Sequence, residues 1–243
     1  MSETLKPLIT RLCDGELISF EEMQKAFSIL MSGEATVAQI TSFMVALKMR
    51  GETASDIAAG ASQTRANANC IKAPNNSIDI VGTGGDGANS LNISTAAAII
   101  VAGCGVPVAK HGNKAVSSKS GAADILSELG INLECDFTQI ERAIAQAKIG
   151  FLMAPRHHPT LRFVGPTRVE LGIRTIFNLL GPLSNPALVD KALIGVYDAK
   201  WGRPFAEALK LLGTEHAFIV HGDGGLDEVS LSGPTTIYAL DSG

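Results

Sequence analysis

The residues best suited to chemistry fall in three clusters. In the first, Asp79-Ile80-Val81-Gly82-Thr83-Gly84-Gly85-Asp86-Gly87 carries a β-branched segment into a glycine loop, and Ser90, Asn92, Ser94 and Thr95 follow with hydroxyls and amides. Glycines let backbone N–H groups approach an anion, and a helix start adds free N–H groups and a favourable dipole, so this reads as a phosphate cradle. The loop formally matches G-x-G-x-x-G, the dinucleotide fingerprint, and follows a strand as that fingerprint requires. It departs from it one strand later. The fingerprint wants an acidic residue about 20 positions on to hold ribose hydroxyls, and here Lys110-His111 ends the next strand. Asp86 would repel a bare pyrophosphate unless a metal or a sugar hydroxyl intervened. No Gly-Lys-Ser/Thr follows at Walker spacing, which excludes a P-loop.

The second cluster is Lys110-His111-Gly112-Asn113-Lys114-Ala115-Val116-Ser117-Ser118-Lys119-Ser120. In a parallel sheet its loop lies beside the glycine loop at the same edge. Lys110 and Lys114 then neutralise phosphate as point charges and Ser117 and Ser118 donate hydrogen bonds, while Lys119 reads as solvated. The third cluster, His221-Gly222-Asp223-Gly224-Gly225-Leu226-Asp227-Glu228, again follows an apolar strand. Adjacent carboxylates in such a turn face solvent or hold a hard cation, and beside a phosphate cradle magnesium is the better reading. Arg168 opens a helix, with Arg156, His157, His158 and Arg162 just before it. A salt bridge accounts for any one of these arginines, but a planar fork also suits an organic carboxylate. His157 reads as polar surface.

These clusters need elements to hold them. With 243 residues, 46% hydrophobic and 18% charged, the chain has room for one large domain or two unequal ones. Gly15, Gly33 and Gly51 end segments of helical apolar spacing, and Ser19-Phe20-Glu21-Glu22, Thr36-Val37-Ala38-Gln39 and, more weakly, Thr53-Ala54-Ser55-Asp56 restart them. A small helical domain over 1–73 is expected, with Phe27, Leu30, Met31, Ile40, Phe43, Met44 and Leu47 on its buried faces. Ala73-Pro74-Asn75-Asn76-Ser77 breaks the pattern. Beyond it, strands at 78–81, 106–109, 149–153, 192–197 and 217–220 alternate with helices at 94–102, about 120–129, 139–148, 168–180 and 204–212. That is a larger α/β domain over 74–243 with a mostly parallel sheet and ligands at the strands' carboxyl ends.

Composition excludes several classes. A net charge of −4 without a Lys/Arg run argues against non-specific nucleic-acid binding. Cys13, Cys70, Cys104 and Cys135 form no CxxC spacing, so no zinc or redox motif is present, and they read as buried fillers in a reducing cytoplasm. With no apolar signal core and no run of about 18 apolar residues, no membrane partner and a cytoplasmic location are expected.

Taken together, Gly-Thr-Gly-Gly-Asp at 82–86, Asn-Ile-Ser-Thr at 92–95, Lys-His-Gly-Asn at 110–113, Arg168, the block from Leu171 to Pro186, and Asp227-Glu228 stand in an order that resembles the anthranilate phosphoribosyltransferase family along the whole chain. The resemblance implies a fold shared with pyrimidine nucleoside phosphorylases, with a helical domain beside an α/β domain, part of 162–186 folded back onto the helices, and a homodimer formed through them. It implies that Gly82, Gly85, Asp86, Ser90, Asn92, Ser94 and Thr95 bind 5-phosphoribosyl 1-diphosphate (PRPP). Lys110, His111, Gly112, Asn113, Lys114, Ala115, Val116, Ser117, Ser118 and, near the next helix start, Ala122 would close over the same substrate. Gly82, His111, Asn113, His158 and Arg168 would face anthranilate, Arg168 pairing with its carboxylate, and Ser94, Asp227 and Glu228 would hold Mg2+.

The chain departs from that family's pattern at Ala122, where serine is frequent, and at Lys114, where arginine is common. The family's α/β domain also continues well past residue 243, so the C-terminal part of that domain is expected to be missing here. Two other readings share some of these features. A pyrimidine nucleoside phosphorylase of the same fold would not need Arg168, His111 and Asn113 for an uncharged base. A non-enzymatic nucleic-acid-binding relative would show a basic face, against which the net charge and the Asp227-Glu228 pair both count.

Overall fold

A computed structural model of the chain describes residues 4–84, 91–114 and 121–241. Four helices come first, α1 (Lys6–Cys13), α2 (Phe20–Ser32), α3 (Val37–Arg50) and α4 (Ala54–Ala66). Each of the last three opens on a reciprocal cap: Ser19 with Glu22, Thr36 with Gln39, and Thr53 with Asp56. Each cap satisfies backbone N–H groups that the first turn leaves without partners. Gly33 stops α2 in the left-handed region at φ 86°, which glycine adopts without strain. Asp56 also receives a buried ion pair from Arg50, fixing the corner between α3 and α4.

The sheet comprises β1 (Ile78–Gly82), β2 (Val108–Gly112), β3 (Ile149–Met153), β4 (Lys191–Gly195), β5 (His216–Gly222) and β6 (Thr235–Leu240), in the order β3-β2-β1-β4-β5-β6. The first five strands run parallel and β6 is antiparallel to β5. Chain order reverses direction between β1 and β4, which makes their carboxyl ends the crevice of an open parallel sheet. The connecting helices are α5 (Ile93–Gly103), α6 (Ala122–Glu128), α7 (Phe137–Ala147), the short α8 (Ala154–His157), α9 (Gly165–Leu171), α10 (Phe177–Leu180) and α11 (Gly202–Leu211).

Several expectations are corrected. The helix expected over 168–180 is two pieces, because Gly172 turns the chain left-handed at φ 60° and Thr175 N–H donates to Asn178 Oδ1 at 3.0 Å to start the next turn. β2 runs from Val108 to Gly112 rather than over the expected 106–109, so Lys110 and His111 lie inside it and Gly112 closes it. β6 carried no clear sequence signal, and none of its residues is fully buried. The cysteines are not buried fillers. Cys13, Cys70 and Cys104 are exposed, Cys135 is half-buried, and all four are free.

The main core crosses the domain boundary. Phe27, Leu30, Phe43 and Leu47 of the helices share one apolar cluster with Ile176, Phe177, Leu179, Leu180 and Leu183 from the segment between β3 and β4, and with Phe205 of α11. Gly60 makes the contact feasible, since a Cβ there would lie 2.8 Å from Phe27 and 2.9 Å from Leu180. Arg65 then donates to the Leu183 carbonyl at 2.7 Å. Removing a buried leucine costs its transfer free energy plus that of a cavity, so Leu180→Ala is expected to lower unfolding free energy in urea by about 2–5 kcal/mol. Leu129→Ala, at an exposed position, should stay within about 0.5 kcal/mol.

Candidate active site

The site is assembled at the carboxyl ends of β1, β2, β4 and β5. Gly82 closes β1 and Gly195 closes β4, and both lie against Asp227. A Cβ on Gly82 would sit 2.5 Å from Asp227 Oδ2, and one on Gly195 would overlap the Asp227 backbone oxygen. The close approach brings Asp227 Oδ2 within 2.7 Å of the Gly84 N–H, which donates to it. Thr83 pins the loop to β4 through its N–H to the Gly195 carbonyl at 2.9 Å and its Oγ1, which accepts from Tyr197 N–H at 3.1 Å. On the far side His221 Nδ1 bonds the Val196 carbonyl at 2.8 Å, holding the turn that delivers Asp227 and Glu228.

Beneath this loop Lys110 is buried. Its Nζ donates to the Ile80 carbonyl at 2.5 Å and to Ser94 Oγ at 3.3 Å, on the first turn of α5. Thr95 Oγ1 donates to Asn92 Oδ1 at 2.6 Å just beside it. Burial lowers the Lys110 pKa, while the negative charges of Asp79 and Glu228 act to raise it. Asp79 is wholly buried, and burial lifts its carboxyl to about 6 against the opposing pull of Lys110 and of hydrogen bonds from Asn185 and the backbone. Lys110 therefore lies beneath the glycine loop, where the sequence suggested a point charge facing the phosphate.

His111 is also buried. Its Nδ1 bonds the Gly181 carbonyl at 3.2 Å, and its ring meets His158 edge to face at 5.1 Å. Among the described residues His111 Nε2 has no partner. Burial and the facing imidazole push His111 down to about 3, and burial with His157 pushes His158 to about 4, so both rings are neutral near neutral pH. His157 is not the surface residue the sequence suggested, because its ring stacks on Phe137 at 4.5 Å and its Nδ1 bonds the Asn69 carbonyl at 2.7 Å. Arg168, on α9, is half-buried with its guanidinium 5.5 Å over the Phe177 ring.

The structure thus groups Gly82, Ser94, Lys110, Asp227 and Glu228 around one strand edge and joins His111 to His158. Gly112 ends β2 where a Cβ would press on Phe151 and on Ala122 at the start of α6. Asn113 and Lys114 are exposed just beyond it. Gly85, Asp86, Ser90, Ala115, Val116, Ser117 and Ser118 lie outside the described residues. Sequence reasoning missed Asp79 and Asn185, both buried here. The signal available was a carboxylate inside an apolar strand, a placement that needs a partner.

Among the described residues no three His, Cys, Asp or Glu side chains cluster as a metal site. Two carboxylates with a nearby hydroxyl nevertheless fit a hard cation that completes its shell with substrate phosphates and water, as magnesium does.

Comparison with known proteins agrees with this layout. Residues 74–243 match the glycosyl transferase family α/β domain, and residues 6–68 its helical bundle domain. An anthranilate phosphoribosyltransferase from Azospirillum brasilense is 54% identical over 98% of this chain and 67% of its own length. Its counterpart from Chelativorans sp. is 55% identical over 98% of the chain and 70% of its own length. The chain belongs to the anthranilate phosphoribosyltransferase family. The family's crystal structure from Thermus thermophilus superposes with a TM-score of 0.88 at 42% identity, covering 96% of this chain and 72% of that one. The Saccharomyces cerevisiae member in complex with PRPP and Mg gives 0.90 at 33% identity, covering 98% and 71%.

The buried imidazoles make stability pH-dependent. In the folded family member His111 and His158 titrate near 3 and 4, while in the unfolded chain histidine titrates near 6.5. Below about 6.5 the unfolded state therefore binds more protons, and stability falls with pH by about 1.4 kcal/mol per unit for each proton of difference. Asp79 has the opposite sign, adding stability as pH falls from about 6 toward its unfolded value of 3.8. Urea midpoints should drop between about pH 7 and about pH 5, and His111→Asn with His158→Gln should flatten the slope. An unchanged slope in the double variant would refute the assignment.

Proposed function

We propose that the chain transfers the phosphoribosyl group of PRPP to the amine of anthranilate, giving N-(5-phosphoribosyl)anthranilate and diphosphate in tryptophan biosynthesis. The observation that carries this is the seating of Asp227 against Gly82 and Gly84, with Ser94 and the buried Lys110 beside it. It makes one end of the sheet a place for a diphosphate, which close relatives named anthranilate phosphoribosyltransferase support.

In this reading Gly82, Gly85, Asp86, Ser90, Asn92 and Thr95 hold PRPP, and residues 110–118 with Ala122 cover it. Ser94, Asp227 and Glu228 hold Mg2+, which when bound supplies positive charge to the departing diphosphate. Loss of the leaving group with oxocarbenium character throws charge onto that diphosphate. Lys110 and the N–H groups at the start of α5 stabilise it from fixed positions, without reorganisation during the reaction. The aromatic amine is already nucleophilic when neutral. His111, held neutral by burial, has an Nε2 free among the described residues to orient anthranilate with Asn113 and His158, and Arg168 takes the carboxylate. No general base is assigned. The phosphorylase reading leaves Arg168, His111 and Asn113 without a role, and the net charge of −4 gives nucleic-acid binding no support. A homodimer through the helical domain is proposed on the exposed Leu17, Val37 and Met49 of that domain, and a cytoplasmic location on the four free cysteines.

The assay is loss of anthranilate fluorescence with PRPP and magnesium. Asp227→Asn combined with Glu228→Gln should lower kcat/KM by at least ~10²-fold, and His111→Ala by no more than ~10-fold. The reverse order would assign His111 the dominant role and overturn this mechanism, and no fluorescence loss with the parent protein would overturn the activity.

A further inference from the structure

The parallel ladder between β1 and β2 is unusually short. Among the described residues the register pairs only Ile78 with Val108, whereas β2 and β3 pair from Val108 to Gly112 and β1 and β4 from Ile78 to Gly82. Past Ile78 side-chain hydrogen bonds join the two central strands. Asp79 Oδ1 accepts from His111 N–H at 3.1 Å, and Lys110 Nζ caps the Ile80 carbonyl at 2.5 Å. Asn185 ties the two strands together, its Nδ2 donating to Asp79 Oδ2 at 2.7 Å and to the Ala109 carbonyl at 2.8 Å. Its Oδ1 accepts from Ala187 N–H at 2.8 Å, so the amide has one satisfiable orientation.

Resting on the PRPP reading above, we infer that Asp79 and Asn185 are positioning residues: they tie β1 to β2 through side-chain hydrogen bonds so that the Lys110 ammonium stays charged and fixed against Ser94 beneath the diphosphate. Asp79 is the counter-charge that makes a buried Lys110 tenable, and an uncompensated buried charge is costly. Neither residue touches substrate. Both act through Lys110 and through the backbone of His111. Asn185 extends the clamp to the segment that packs on the helical domain, since Leu183 lies in the shared core two residues before it. The clamp therefore registers that domain against the anion end of the sheet.

Asp79→Asn keeps an oxygen for the His111 N–H but removes the charge facing Lys110. In the full-chain enzyme it should raise KM for PRPP by about 10-fold or more and leave KM for anthranilate within about 3-fold. In a Lys110→Met background the same substitution should change KM for PRPP by less than about 3-fold, because the residue it acts through is gone. A folded Asp79→Asn protein with the parent's KM for PRPP would overturn the inference, as would an undiminished effect in the Lys110→Met background. Should Asp79→Asn fail to fold, the double variant decides: recovery of a folded protein supports the pairing, and continued failure overturns it. A parent chain without turnover overturns the transferase reading and this inference with it, whereas an active parent matched by its Asp79→Asn variant overturns the inference alone.

Discussion

Asp227 can reach the ends of β1 and β4 only because Gly82 and Gly195 present no side chains there, so that a carboxylate from a distant turn shares space with two strand termini. Everything else at this edge adapts to that intrusion. Gly84 turns its N–H onto the carboxylate, Thr83 anchors to β4 on either side, and Gly222 leaves room for the Glu228 carbonyl. An alanine at either strand end would push the acidic turn outward and break the Gly84 N–H bond to Asp227. The glycines thus serve two purposes. Some free the backbone to bind an anion, and others make room for a carboxylate.

The helical domain belongs to the same mechanical unit. Segment 176–183 buries Leu179, Leu180 and Leu183 among the helices, while the Gly181 carbonyl within it receives His111 and Asn185 just beyond it grips Asp79. One short stretch therefore presents apolar side chains to one domain and polar groups to the other. Packing in the shared core fixes where those polar groups fall, which couples core volume to site geometry without any residue contacting both substrate and helix.

How much of this the sequence revealed depends on whether the signal was local. The caps at Ser19, Thr36 and Thr53 and the stops at Gly15, Gly33 and Gly51 are local, and each appears in the structure. Parallel strands leading to polar loops were equally legible, because strand and loop alternate in texture. The split at Gly172 was obscured by apolar residues on both sides that keep helical spacing across it. His157 was misjudged because its burial comes from Phe137, and exposure of the cysteines reflects tertiary placement that their type does not determine. Within the site, the types at Ser94, Lys110, Asp227 and Glu228 pointed to phosphate and magnesium. That Lys110 would be buried was not legible, since it depends on Asp79 and Asn185 meeting it from two other segments.

Buried charge and buried neutrality divide the site in a way that suits the proposed reaction. Toward α5, the buried Lys110 lies in the field of the Asp79 carboxyl and reaches Ser94, so in the proposed reaction its charge faces the region where diphosphate charge would grow. Toward the helical domain, His111 and His158 are held neutral by the same exclusion of water, so no competing cation stands where a neutral amine must approach. In the proposed reaction, a protonated imidazole there would compete with Arg168 for the anthranilate carboxylate. Low dielectric thus strengthens the attraction needed at one end and suppresses an unwanted charge at the other. The two ends are set by residues on the same strand, Lys110 and His111, whose side chains alternate across β2, one reaching Ser94 and the other the Gly181 carbonyl and His158.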